Sequence, residues 1–93
     1  MNDKTLKMLR EEYPEGTRVE LVEMDDLQAP PVGTKGTVYL VDDIGSLQVH
    51  WDNGSTLAVL YGMDRVRKLY NNSLLLKKIH LLLSPNRVMY IHT

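Results

Sequence analysis

The residues best placed to do chemistry in this chain are two pairs of adjacent aspartates, Asp25-Asp26 and Asp42-Asp43, and two tyrosines, Tyr39 and Tyr61. Both aspartate pairs fall in connections between strands, and gathered at one end of a small barrel they would form an acidic mouth. Clustered carboxylates capture Arg or Lys side chains of a protein or peptide through charge-assisted, often bidentate bonds. The plainer reading is that aspartates in turns accept bonds from neighbouring backbone N–H groups and need no ligand. A calcium or magnesium site is a third reading, and the spacing lacks a coordinating loop of the EF-hand kind. Tyr61 precedes a tight turn and Tyr39 lies on a strand, opposite in parity to Val38 and Leu40, so both are candidate aromatic contacts.

Enzyme chemistry finds little support. His50 falls on the polar face of a strand without a serine and carboxylate in any catalytic order, and His80 and His92 belong to the last segment of the chain. No Gly-rich run followed by Lys-Ser/Thr is present to cradle phosphate. The chain has no cysteine, which removes thiol nucleophiles, disulfides and zinc ribbons together. The expectation is a non-enzymatic module with no cofactor and no metal site.

The elements that must carry these side chains follow from periodicity. Asp3 is placed to cap a short helix over residues 4–12, with Leu6, Leu9 and Tyr13 on one stripe and Asp3 opposite Lys7 at i,i+4. Pro14-Glu15-Gly16 ends it. Residues 17–23 alternate, with Val19 and Leu21 on one face and Arg18 and Glu20 on the other. Met24 to Thr34 holds Asp25, Asp26, Pro30, Pro31 and Gly33, a composition suited to a long ordered loop in which the prolines impose rigidity. Strands then follow at 35–41, 47–51, 56–61 and 65–69. Leu47, Val49 and Trp51 share one parity, which makes Trp51 a core residue. Asn53-Gly54 reads as a two-residue type I′ turn, and Gly62-Met63-Asp64 as a single tight turn. The fold class is therefore all-β: a small five-stranded SH3-like barrel with a short N-terminal helix and a C-terminal extension.

Charge divides the chain in two. Residues 1–70 hold all 12 acidic residues against 8 Lys/Arg, whereas residues 71–93 hold Lys77, Lys78 and Arg87 and no acid. The first part is the barrel with its helical turn. The second is a basic, apolar extension, either outside the design of the domain or an independent helix packed on it. Leu74 to Leu83 is interrupted by lysines and too short to span a bilayer, which takes about 20 residues. Residues 6–12 lack the uninterrupted apolar core of a signal peptide, so the expected location is the cytoplasm.

The run Tyr13-Pro14, Gly16-Thr17-Arg18-Val19-Glu20-Leu21-Val22, Met24-Asp25-Asp26, Ala29-Pro30-Pro31, Gly33-Thr34-Lys35-Gly36-Thr37-Val38, Val41-Asp42-Asp43, Gly45-Ser46 and Trp51-Asp52-Asn53-Gly54-Ser55 resembles domain-of-unknown-function family 4314. The resemblance covers about residues 6–70. It implies a small bacterial protein of a kind often carried on conjugative elements, plasmids and prophages, without an established activity. The shorter Gly-Thr-Val and Val-x-Trp-Asp-Asn-Gly pattern also looks like SH3-like interaction domains of certain eukaryotic ubiquitin ligases and, more faintly, like KOW segments. These are likenesses of fold, and fold does not fix function.

Two readings of function follow. The first is protein or peptide recognition at the acidic loop end, through Asp25, Asp26, Asp42, Asp43, Tyr39 and Tyr61. The alternative is a KOW-like barrel associated with RNA or DNA through Arg18, Lys35, Arg65, Arg67 and Lys68 on strand exteriors, with Lys77, Lys78 and Arg87. An acidic surface repels phosphate, and alternating charges on strands are ordinarily a solvated face, so nucleic acid is disfavoured.

Overall fold

A computed structural model describes residues 1–70. The readings made for the C-terminal extension, including Lys77, Lys78, Arg87, His80 and His92, lie outside the described residues.

Helix α1 spans Asp3–Glu12. Its cap is Asn2 rather than Asp3: the Asn2 side chain accepts the Thr5 N–H at 2.8 Å. Asp3 instead occupies the first turn, where its charge faces the positive end of the helix. The expected Asp3–Lys7 pair is not among the ion pairs of the described residues. The apolar stripe is as the spacing requires, with Leu9 buried and Leu6 and Tyr13 packed against the core. Ten residues are too few for a helix to persist alone, so this packing holds it. Arg10 adds a polar tether, donating to the Val41 carbonyl and to Asp43 Oδ1 at 2.8 Å.

Five strands follow: β1 Arg18–Glu23, β2 Lys35–Val41, β3 Ser46–Trp51, β4 Val59–Leu60 and β5 Arg65–Leu69. They form one antiparallel sheet in the order β4-β3-β2-β1-β5, and no ladder joins β4 to β5, so the sheet is not closed. Val19 and Leu21 point inward as their alternation requires, and the core is completed by Leu9, Val38, Val41, Leu47, Val49, Trp51 and Val59. Gly36 is needed where β2 pairs with β3, directly opposite Trp51. A Cβ there would lie 2.6 Å from Val49 Cγ1 and 2.8 Å from Trp51 Cε3.

Three local features differ from the sequence reading. Val38 pairs with Val49 but Leu40 pairs with Gln48, so Tyr39 is the extra residue of a bulge. The bulge reverses the parity beyond it: Leu40 is 53% exposed and Val41 is 4% exposed, whereas simple alternation puts Leu40 inward. The turn at Asn53-Gly54 is not two-residue type I′. Gly54 N–H donates to the Trp51 carbonyl and Trp51 N–H to the Ser55 carbonyl, which encloses three residues and leaves Gly54 at φ +93°. Finally, β4 is two residues rather than six. The Trp51 indole N–H donates to the Leu57 carbonyl at 2.9 Å, and residues 56–58 stand outside the ladder.

Candidate functional site at the Tyr61 turn

The four residues between β4 and β5 connect two distant parts of the chain. Leu60 pairs with Ser46, next to the Asp42–Gly45 turn, and Arg65 pairs with Glu23, where the loop carrying Asp25 and Asp26 begins. The register therefore sets the Tyr61–Asp64 connection between the two aspartate-bearing segments. Tyr61 itself is 51% exposed, and Leu60, Met63 and Ile44 are exposed with it. The connection is held by its own bonds. Met63 and Asp64 donate their N–H groups to the Leu60 carbonyl, and Leu60 N–H donates to Asp64 Oδ2.

The aspartates are not equivalent. Asp42 Oδ1 accepts the N–H groups of Ile44 and Ser46, and its Oδ2 accepts from the Gln48 side chain. Burial pushes its pKa up, but those bonds and the Arg10 charge outweigh burial and hold it below the ordinary value of 3.8. Asp26 accepts the Gln28 N–H at 2.7 Å, a local turn bond. Asp43 is paired with Arg10 yet remains almost fully exposed. Asp25 has no hydrogen-bond or ion-pair partner among the described residues. Asp42 and Asp26 thus build their turns, Asp43 is exposed but paired with Arg10, and Asp25 presents its charge to solvent. Among the described residues, no three His, Asp or Glu side chains are grouped to hold a metal ion.

Beside Tyr61 lies a half-open cavity of about 350 Å³. Its apolar lining comes from Leu9, Leu47, Val59 and Val66, together with Tyr13 and Tyr61. The cavity is lined by residues of α1, β3, β4 and β5 and of the connection between β4 and β5. Glu12, Asp64 and Arg65 supply its charge. Burial, then the charge of Glu12, then Tyr70 raise the Tyr13 pKa above 10.0. Sequence reasoning placed Tyr13 on the helix stripe and Asp64 in a turn. It missed the cavity, because that needs α1, β4 and β5 together.

Tyr39 belongs to another surface. It stacks on His50 on the outward face of β2 and β3, with ring centroids 4.0 Å apart and planes at 20°. The strand arginines are committed to acids. Arg18 forms a two-pronged bond to Asp52, Arg65 binds Glu23 and Arg67 binds Glu20. Lys68 Nζ lies over the Tyr13 and Tyr70 rings, at 5.6 and 5.8 Å from their centroids. Lys35 is exposed.

Residues 2–69 match the sequence profile of the family described as Domain of unknown function (DUF4314). The chain belongs to this family. The match spans α1 and all five strands, the same stretch that carries the Tyr61 connection and its neighbours. No curated protein and no solved structure matches the chain. No helix of the described residues is long and apolar enough to cross a membrane.

Proposed function

We propose that this DUF4314 chain is a non-enzymatic binding module that recognises a protein or peptide at the end of the sheet carrying Tyr61. The observation that carries the reading is the register of the 61–64 connection, which is flanked by the Asp42–Gly45 turn through Leu60 and by the Asp25 loop through Arg65. An exposed tyrosine beside an apolar cavity, with carboxylates on both flanks, is the kind of surface that binds a polypeptide. Asp25 is the aspartate with unpaired charge to offer and Asp43 an exposed carboxylate already paired with Arg10, while Asp26 and Asp42 shape the turns that present them. The strand order supports reading the sheet as an SH3-like barrel left open between β4 and β5. A cytoplasmic, bacterial setting on mobile genetic elements is part of the same proposal and rests on the sequence resemblance.

The nucleic-acid alternative is weaker because Arg18, Arg65 and Arg67 each face a carboxylate, so the strand exteriors carry little uncompensated positive charge. Affinity capture from a lysate of the source organism separates the two. Native chain and Tyr61→Ser are used as baits, and both protein and nucleic acid are analysed. The proposal expects a protein held by the native chain and lost by Tyr61→Ser. Capture of nucleic acid that falls steeply with salt, or of the same protein by both baits, contradicts it.

A further inference from the structure

We infer that the partner segment presents an apolar side chain next to a Lys or Arg, the apolar group entering the cavity beside Tyr61 and the cation meeting Glu12 and Asp64. The inference rests on the binding-module reading and names the chemistry of its ligand.

The cavity selects an apolar group because Leu9, Leu47, Val59 and Val66, with Tyr13 and Tyr61, make up most of its lining. At about 350 Å³ it falls at the small end of ligand pockets, suited to a side chain rather than a folded surface. Its charge selects a cation. Among the described residues, Arg65 is the one cationic residue of the lining, and its guanidinium is bound to Glu23 at 2.9 Å. Glu12 has no ion-pair partner among the described residues, and its field is felt at the Tyr13 hydroxyl. Asp64 gives Oδ2 to the Leu60 N–H, an uncharged donor, so its negative charge is not cancelled. Lys68 Nζ lies 5.6 Å from the centroid of the Tyr13 ring, and Lys68 is not part of the lining. The lining is therefore left with two carboxylates against one arginine already paired outside it. An acidic peptide would be repelled there and an uncharged one would leave both carboxylates unanswered.

The test is selection of a phage library of random short peptides on the full chain, followed by affinity measurements with synthetic copies of the selected peptides. The expected consensus pairs an aliphatic or aromatic residue with a neighbouring Lys or Arg and avoids Asp and Glu. Tyr61→Ser should abolish binding, and Glu12→Gln with Asp64→Asn should weaken it by about fivefold at moderate salt. Should the double variant fold poorly, Glu12→Gln alone serves, since that side chain supports no described contact. Peptides that depend on Tyr61 but carry no cation, or that bind the double variant equally well, overturn the inference and leave the binding-module reading standing. Selected peptides indifferent to Tyr61 overturn both. No enrichment at all overturns the inference, while the lysate capture still decides the broader reading.

Discussion

Leu60 and Asp64 bond to each other in both directions: Leu60 N–H donates to Asp64 Oδ2 at 2.8 Å, and Asp64 N–H donates to the Leu60 carbonyl at 2.9 Å. This double link closes the connection that displays Tyr61 and keeps β4, only two residues long, from fraying. Asp64 is thus both a turn-closing residue and part of the cavity lining.

Asp64→Ala removes the acceptor and should lower stability by about 1 kcal/mol, while Asp64→Asn keeps an acceptor oxygen and should cost less than half of that. Denaturant unfolding of the two variants checks the order. Equal losses would mean that charge, not the bond to Leu60, is what the connection needs.

Gly36→Val tests the packing beside Gly36, where β2 pairs with β3 opposite Trp51. The nearest atoms a Cβ would meet belong to buried Val49 and Trp51, side chains with no room to retreat. The expected loss is about 1–3 kcal/mol, read as a lower Tm. An unchanged Tm would contradict the packing described for Trp51.

Stability should fall in acid for a reason that can be located. Asp52 is held below the ordinary value of 3.8 chiefly by its bond to Arg18, and Asp42 is held below it by its turn bonds and Arg10 against the opposing effect of burial. A carboxylate with a depressed folded pKa stabilises the fold above its unfolded value, and that stabilisation is lost as pH falls through the folded value. The loss should therefore begin near pH 3.8 and continue below it. Asp42→Asn should flatten this part of the stability profile, measured by thermal unfolding across acidic pH. A profile as steep as that of the native chain would assign the acid sensitivity elsewhere.

Among the described residues the buried core runs from Leu9 to Val59, and the family match ends at residue 69. A chain ending at Tyr70 should therefore keep a single cooperative unfolding transition. Loss of that transition would place part of the core in residues 71–93.

Much of this architecture was legible in the sequence because the informative interactions are local. Alternation marks β1, the glycine-bearing turns mark β2 through β5, and Leu6, Leu9 and Tyr13 mark the inner stripe of α1. Features that depend on partners far along the chain were not legible. The bulge at Tyr39 leaves no local trace, yet it turns Leu40 outward and Val41 inward. The shortening of β4 accompanies the Trp51 indole bond to Leu57, and the Asp52–Gly54 turn takes its form from bonds between Trp51 and Ser55 rather than from Asn53-Gly54 alone. Arg10 meets Asp43 across 33 residues, which no spacing rule anticipates. The aspartates were visible as a set, but only the hydrogen bonds separate Asp42 and Asp26, which build turns, from Asp43 and Asp25, which face solvent.

The most direct test of the account is an amide chemical-shift map of the isotope-labelled full chain, titrated with the captured partner. The account predicts saturable perturbations at Tyr61 to Arg65, at the Asp42–Gly45 turn and at the C-terminal end of α1. Perturbations confined to the outward face around Tyr39, His50 and Arg18, with the Tyr61 connection unmoved, would contradict it.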